Sequence, residues 1–463
     1  MELRLAIIII GDALLALFAL YSAVAAMMGV DFLLSDWLTP QAVKIPLIFV
    51  VVSLFSSFLM EIYTLDRRSR KREIFITCLQ VGSAVLFLLS VVYYLDPSVM
   101  LGQGVLFLAI TLFIFYQFAW HALASRSERH QRFFRRVLIL GTGELACKLG
   151  EIIGTGSSSF SLVGYLPCGE DGADRADEVL DPLAGHDKDL VDREVDLLAA
   201  AHKARAGIIV VAISQRRGVL PLQQMIKCKL NGIEVVDAPT FYEIMQGKLM
   251  LEHITPSWII FSAGFRRTAL VNVYKRGIDI CLAVAGILLT APFFPVIALA
   301  IKIDSNGPLF FRQVRVGAGE KPFLLYKFRS MREDAERDSG AVWAVKNDSR
   351  ITGVGQFFRN SRIDELPQLF NVLKGDMSFI GPRPERPEFV ESLKRDIYYY
   401  SKRHTIKPGL TGWAQVRYPY GASVEDAVEK LRYDLYYIKN ISVFLDAQIM
   451  FETVKVVLFG RGR

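Results

Sequence analysis

The chain has 463 residues, 52% of them hydrophobic, and a positive mean hydropathy. That is long enough for two or three domains and too apolar for an ordinary soluble enzyme. A net charge of +7 favours acidic partners such as phospholipid headgroups or phosphorylated substrates. Five scattered cysteines and six dispersed histidines exclude a disulfide framework and a zinc site, and fit a reduced, cytosol-facing setting.

Apolar runs come first, at 5–29, 43–63, 74–95 and 101–123. Each has about the 20 residues that a bilayer-spanning helix needs. Only short connections separate them, so residues 1–125 read as four transmembrane helices. The loop 66–72 and the segment 126–136 are basic, whereas the loops at 31–36 and 96–104 are acidic or neutral. Positive charge stays on the cytoplasmic side, which puts both ends of the bundle there. The first run outlasts a signal-peptide core and ends without a small-residue cleavage site, so it reads as a membrane helix.

Next, Arg136-Val137-Leu138-Ile139-Leu140 runs into Gly141-Thr142-Gly143 and then Glu144-Leu145-Ala146, the strand, glycine turn and helix of a Rossmann start. Apolar runs at 207–213 and 232–236 read as further parallel strands. Residues 126–265 are thus expected to form a small cytosolic Rossmann-like α/β domain, with an acidic, loop-like insertion at 169–189. Neither Tyr165 nor Tyr242 has a lysine four residues on, which argues against a dehydrogenase or dehydratase site. A lone glycine fingerprint leaves open whether this domain binds a nucleotide.

A fifth apolar run, 277–301, is preceded by Arg266, Arg267, Lys275 and Arg276 and followed by Lys302, Arg312 and Arg315. A spanning helix with strong positive charge at both ends conflicts with the positive-inside rule. Pro292 removes a backbone bond near its middle and forces a kink. The expectation is a re-entrant helix over 274–303, broken at Pro292, that dips into the inner leaflet and returns. Residues 304–463 would then be a cytosolic, membrane-associated α/β catalytic domain. The competing reading is a fifth span.

Residues 310–317 and 323–331 read as two strands around a glycine-containing turn, whose alternation aims Arg312 and Lys327 in defined directions. Residues 333–350 read as a polar loop. In 359–386, Leu366, Leu369, Phe370 and Leu373 recur at helical spacing, and Pro367 is tolerated only in a first turn. The helix is therefore expected to begin at 363–365, with Asp364 and Glu365 at its N-terminus. There the macrodipole and unpaired amides would lower both carboxyl pKa values and attract phosphate. Two readings compete: Asp364 as helix cap with Glu365 a first-turn charge, or a carboxylate nucleophile beside a metal-binding carboxylate, ringed by Arg359, Arg362 and Arg383. The aromatic-basic segment 398–404 suits a membrane interface, and the amphipathic stretch 431–459 suits either that or core packing.

Taken in order, Lys275-Arg276 and Asp279, the proline-broken helix, Arg315-Val316-Gly317, Tyr326-Lys327-Phe328-Arg329-Ser330-Met331, the segment from Asp364-Glu365-Leu366-Pro367 to Met377-Ser378, Gly381-Pro382-Arg383-Pro384 and Pro408-Gly409-Leu410-Thr411-Gly412-Trp413 resemble the bacterial sugar transferases of the polyprenyl-phosphate sugar-1-phosphate transferase superfamily. The preceding bundle and Rossmann-like domain resemble the long members, which initiate exopolysaccharide or O-antigen assembly. One departure stands out. The family often has Ser-Pro at the helix break, where this chain has Ala291-Pro292.

The resemblance implies that Asp364 attacks the sugar-bearing phosphorus of a UDP-sugar, releasing UMP and leaving a sugar-phospho-aspartyl enzyme. Undecaprenyl phosphate then takes the sugar phosphate, a hexose-1-phosphate by the long architecture. Glu365 would hold Mg²⁺. Arg315, Lys327, Arg329, Arg359 and Arg383 would clamp phosphate, and Asp434, at a family acidic position, would support the metal or the basic cluster. Pro382 and Pro384 would hold Arg383 rigid, and Pro292 would preserve the helix break. Implied partners are the UDP-sugar, undecaprenyl phosphate and membrane lipids, with no nucleic acid, and the surfaces of the bundle and the Rossmann-like domain leave room for a homodimer. The implied location is the bacterial inner membrane, catalytic domain to the cytoplasm. The rival readings are a membrane-bound nucleotide-sugar dehydratase or epimerase, and a non-enzymatic scaffold.

Overall fold

The computed structural model describes residues 2–29, 40–60, 62–64, 71–100, 102–127, 135–155, 160–167, 196–213, 220–262, 264–265, 268–332, 350–418, 421 and 423–459. Outside them lie most of the basic loop 66–72 and of the segment 126–136, the 31–36 loop, the 169–189 insertion, Arg266, Arg267 and the loop at 333–349. The chain divides into two compact units, 1–238 and 239–463. The second therefore begins at 239 and takes in 239–265, which the sequence pattern groups with the α/β domain.

In the first unit the apolar runs form helices α1 (Glu2–Met28), α2 (Pro40–Leu59), α3 (Lys71–Leu95) and α4 (Gln103–Ser127). Small residues line the inside: Ala16, Ala19 and Ala23 are fully buried and cluster with Ala109 and Phe113. Ile10, Leu14, Phe18, Phe87, Phe107 and Phe115 stand exposed on the outside. Close approach of small residues is how helices associate where lipid is as apolar as leucine. Among the described residues, four stretches are long and apolar enough to cross a membrane: Ile7–Met28, Lys71–Leu95, Gln103–Ala124 and Ala269–Asp304. The second run also forms a helix, α2, and its described apolar stretch, Val43–Leu59, is shorter than these.

The bundle is followed by β1 (Arg135–Leu140), α5 (Glu144–Thr155), β2 (Phe160–Leu166), α6 (Leu197–Lys203), β3 (Ile208–Val211), α7 (Leu222–Leu230) and β4 (Glu234–Asp237). The sheet is parallel throughout, in the order β2-β1-β3-β4. Strands β3 and β4 fall where the apolar runs place them. Strand β2 was not legible, because Ser161 and Gly164 interrupt its apolar pattern. Gly141 adopts φ +120° after β1, and a side chain there would press on the Ala212 carbonyl.

The second unit opens with α8 (Ala238–Gln246), whose first residue belongs to the other unit, and α9 (Pro256–Phe261). Leu249 and Ile254 join a core with Trp413, Leu431 and Leu435, and Trp413 Nε1 donates to the Gly247 carbonyl at 2.7 Å. The fifth apolar run forms two helices, α10 (Ala269–Thr290) and α11 (Phe294–Asp304), joined by a 3₁₀ turn at Ala291–Phe293. Thr290 Oγ1 donates to the Gly286 carbonyl at 2.6 Å, the back-bonding that bends helices. A hydroxyl is thus present one residue before the serine position that Ala291 fills. Ala283 of α10 packs with Leu325, Val372 and Met377, and Ile297 and Ile301 of α11 pack with Phe328 and Phe358. Leu288, Leu289, Phe293, Val296 and Leu299, between these anchor points, are exposed.

The remainder comprises an antiparallel hairpin, β5 (Phe310–Val316) and β6 (Pro322–Phe328), then α12 (Gly353–Asn360), α13 (Gln368–Lys374), β7 (Ser378–Ile380), α14 (Pro387–Asp396), β8 (Gly409–Thr411), α15 (Trp413–Arg417), α16 (Val424–Lys439) and α17 (Val443–Phe459). Strands β7 and β8 pair in parallel. In the 398–404 segment Tyr398 and Lys402 are exposed, whereas Tyr399, Tyr400, Arg403 and His404 are buried, so most of it serves the core. Helix α17 buries Leu445 and Ile449 in the core and leaves Val443 and Phe444 exposed.

Candidate active site

Asp364 and Glu365 lie on a 3₁₀ turn, Ile363–Glu365, entered through Arg362 at φ +59°. Helix α13 starts only at Gln368, behind Pro367, and has no side-chain cap. Two expectations are corrected here. Asp364 caps nothing, since it makes no capping bond and its Oδ1 is buried without a hydrogen-bond partner. Nor does a helix dipole lower both carboxyls, because the pair precedes a helix of only seven residues. Charged neighbours set the electrostatics instead.

Those neighbours split the pair. Burial pushes the Asp364 carboxyl above its ordinary value, against the pull of Lys327, Arg359 and Arg362, and the negative charge of Glu365 adds to the push. Glu365 is equally buried, yet Lys327, Arg383 and Arg362 hold it well below the carboxylate range. Its Oε1 accepts from Lys327 Nζ at 3.3 Å, Arg362 Nη1 at 3.3 Å and Arg383 Nη2 at 3.2 Å. Two adjacent carboxyls with pKa values driven apart are the pattern by which one site assigns two chemical roles.

Each cation is delivered by a different element. In the hairpin, Phe311 pairs with Lys327 and Arg315 with Phe323, so Arg315, Leu325 and Lys327 share a face and line one cleft with Gln368, Arg383 and Pro384. Arg315 also binds the turn itself, donating to the Pro384 carbonyl at 3.0 Å. Arg312 stacks over Tyr326 on the opposite face. Arg359, at the end of α12, acts on Asp364 electrostatically and has a buried Nη1 without a partner. Arg329 is placed away from the carboxyl pair, donating to the Ser305 carbonyl at 2.6 Å and leaving buried Nε and Nη1 unpaired.

Arg383 is fixed by the Pro382-Arg383-Pro384 turn, and that turn is fixed by glycines. Gly381 N donates to Thr411 O and Gly409 N to Pro382 O, both at 2.9 Å. A Cβ on Gly409 would overlap Gly381 N, and one on Gly412 would overlap Gly381 O. Only glycine allows this approach. Behind the turn, Arg403 Nη2 donates to the Arg383 carbonyl at 3.1 Å and pairs with Asp434 at 2.8 Å. Asp434 is thus placed under the turn rather than against Glu365.

The Lys275-Arg276 and Asp279 motif anchors α10 to the site. Arg276 donates to the Val372 and Leu373 carbonyls at 2.7 Å each, closing the C-terminal end of α13. Asp279 accepts from Ser378 Oγ at 3.0 Å and Phe379 N at 2.8 Å. Sequence reasoning did not assign Arg403 or Gln415, whose Oε1 accepts from Arg383 Nη1 at 3.3 Å. Gln415 stands 32 residues from Arg383, and its place beside the glycine-bearing turn was the signal that could have found it.

A family model described as bacterial sugar transferase matches residues 270–460. The chain is 43% identical over 190 residues to the exopolysaccharide production protein PSS of Rhizobium leguminosarum bv. phaseoli, covering 39% of this chain and 94% of that protein. The chain belongs to the bacterial sugar transferase family. It is 43% identical over 236 residues to a UDP-N-acetylgalactosamine-undecaprenyl-phosphate N-acetylgalactosaminephosphotransferase of Aeromonas hydrophila, over 51% of this chain and 55% of the relative. It is 37% identical over 264 residues to a UDP-glucose:undecaprenyl-phosphate glucose-1-phosphate transferase of Klebsiella pneumoniae, over 56% of each. The chain spans about half the length of these two relatives. For a bacterial sugar transferase, the region matched by the family model contains the carboxyl pair and every cation described around it.

Proposed function

We propose that this bacterial sugar transferase moves a sugar-1-phosphate from a UDP-sugar to undecaprenyl phosphate at the inner leaflet, by way of Asp364. The observation that carries the reading is a buried Asp364 Oδ1 with no partner, held beside Lys327, Arg359 and Arg362. An unengaged carboxylate oxygen inside a ring of cations suits a nucleophile whose target carries phosphate charge. In the first step Asp364 attacks the sugar-bearing phosphorus, a new O–P bond forms, and the bond to the bridging oxygen breaks to release UMP. In the second, a phosphate oxygen of the lipid attacks the same phosphorus and the aspartyl bond breaks, restoring the carboxylate.

Lys327, Arg362 and Arg383 stabilise charge on the transferring group and hold Glu365 ionised. All three share Glu365 Oε1, so Oε2 is the oxygen open to a divalent ion. Mg²⁺ is usually held by one or two carboxylates together with substrate phosphates, and one carboxylate oxygen beside a diphosphate site fits that habit. When bound, the ion neutralises diphosphate charge. The sugar is a hexose or N-acetylhexosamine, the two classes named for the relatives.

A re-entrant path for α10 and α11 goes with this reading. Both helices pack on the same catalytic core, and the exposed apolar residues lie between the two anchor regions. A site held at the inner leaflet reaches a cytosolic donor and a lipid phosphate together.

The test is UMP release from a panel of UDP-sugars with Mg²⁺ and undecaprenyl phosphate, comparing wild type with Asp364→Asn. Release with one donor, abolished in the variant, is the expected result. Release that persists in Asp364→Asn would move the nucleophile elsewhere.

A further inference from the structure

Two carboxamides three residues apart on α13 have different fates. Asn371 is fully buried, and its side chain is spent on the neighbouring strand β6. Its Nδ2 donates to the Leu324 carbonyl at 2.7 Å and its Oδ1 accepts from Tyr326 N at 3.1 Å. That is how a structural amide is used. Gln368 is almost as enclosed, at 4% exposed, yet its carboxamide has no hydrogen-bond partner among the described residues. A buried polar side chain is nearly always bonded, and leaving one unbonded costs stability. Gln368 instead lines the cleft that holds Arg315, Lys327 and Arg383.

The chemistry of its neighbours says what this amide is for. Arg315, Lys327 and Arg383 only donate hydrogen bonds, which suits phosphate oxygens. Leu325 and Pro384 offer no side-chain polar group, so among the side chains lining the cleft Gln368 Oε1 is the acceptor. A diphosphate has no hydrogen to give it. The groups on either side of a diphosphate do, through their hydroxyls. Gln368 follows Asp364 by four residues and Glu365 by three, and Leu366 and Pro367 between them keep helical torsions. Side chains at that spacing are neighbours, which puts the amide beside the carboxyl that meets the sugar-bearing phosphorus. The hydroxyl within its reach is then on the sugar rather than on the ribose.

We propose that Gln368 contacts the sugar next to the transferred phosphate, its Oε1 accepting from the hydrogen carried at carbon 2 and its Nε2 donating to a phosphate oxygen. This rests on the UDP-sugar reading of the site. Hexoses and N-acetylhexosamines both carry such a hydrogen, as O–H or N–H, so one glutamine serves either.

The test compares kcat/KM for UMP release with the preferred UDP-sugar and with its 2-deoxy-2-fluoro counterpart, which removes the hydrogen at carbon 2. Wild type should prefer the parent by about tenfold, the scale of one buried hydrogen bond left unmade. Gln368→Met should lose that preference and use the two donors about equally. Gln368→Glu keeps an acceptor oxygen in the same shape and serves if the methionine variant misfolds; it should turn over more slowly but keep the preference. A matched donor built on 2′-deoxyuridine checks the other side of the diphosphate, and a preference that Gln368→Met loses only there overturns the assignment to the sugar. So does a Gln368→Met variant that keeps the full discrimination, or a wild type that shows none. Asp364→Asn runs alongside, and release that survives in it would overturn the nucleophile while leaving the Gln368 comparison intact.

Discussion

Asp364 and Glu365 are neighbours in the chain with opposite electrostatic fates, and this gives a pH test of their roles. Because burial raises the Asp364 carboxyl and Glu365 raises it further, ionised Asp364 accumulates only above the ordinary aspartate range. The acid limb of kcat/KM for UMP release should lie correspondingly high. Glu365→Gln removes the like charge, so the limb should move to lower pH even as the rate falls; a limb that stays put would assign it to another group. His404 gives a second test. Burial, aided by Arg403, depresses its imidazole to about 4. From about pH 6.5 down to about 4 the unfolded chain binds the extra proton, so stability falls with falling pH across that window, by about 3 kcal/mol in all. In His404→Gln, Tm should drop less between neutral and acid pH than in wild type. The carboxyl pair was visible in the sequence as adjacent carboxylates before Pro367, although the helix begins only at Gln368. Their divergence was not, since it depends on Lys327 and Arg383, which strand register and a distant turn bring in.

At the scale of elements, the site rests on two turns locked together. Gly381, Gly409 and Gly412 let β7 and β8 approach, and the Arg403–Asp434 pair supports the Arg383 carbonyl from below. Asp434→Asn strands a buried arginine, a loss of about 3–5 kcal/mol where such pairs are broken. It should lower both Tm and kcat, with the kcat defect persisting at temperatures where the variant is fully folded. A variant that loses stability alone would confine Asp434 to the core. The hairpin was readable from alternation, and the helix break from Pro292. What Asp279, Arg276 and Gln415 do was not, because each acts on a partner at least 32 positions away.

For the whole molecule, path and sidedness are at issue. Arg276 and Ile301 are anchored to one catalytic core from either side of the Ala291–Phe293 turn. In oriented vesicles, a cysteine at Arg312 should react with an impermeant maleimide from the cytoplasmic face; labelling only from the opposite face would establish a full span. The apolar runs made the membrane character plain from the sequence, although composition alone did not separate Val43–Leu59, the short one, from its neighbours. If α10 and α11 touch a single leaflet, the two membrane parts of this protein sense different properties of the bilayer. The bundle matches its length against total thickness and would tilt or strain as acyl chains lengthen. The broken helix has nothing to match on the far side. Lipids of increasing chain length should therefore perturb the bundle while leaving turnover at the catalytic domain nearly unchanged, a decoupling that a straight helix over the same residues would not permit.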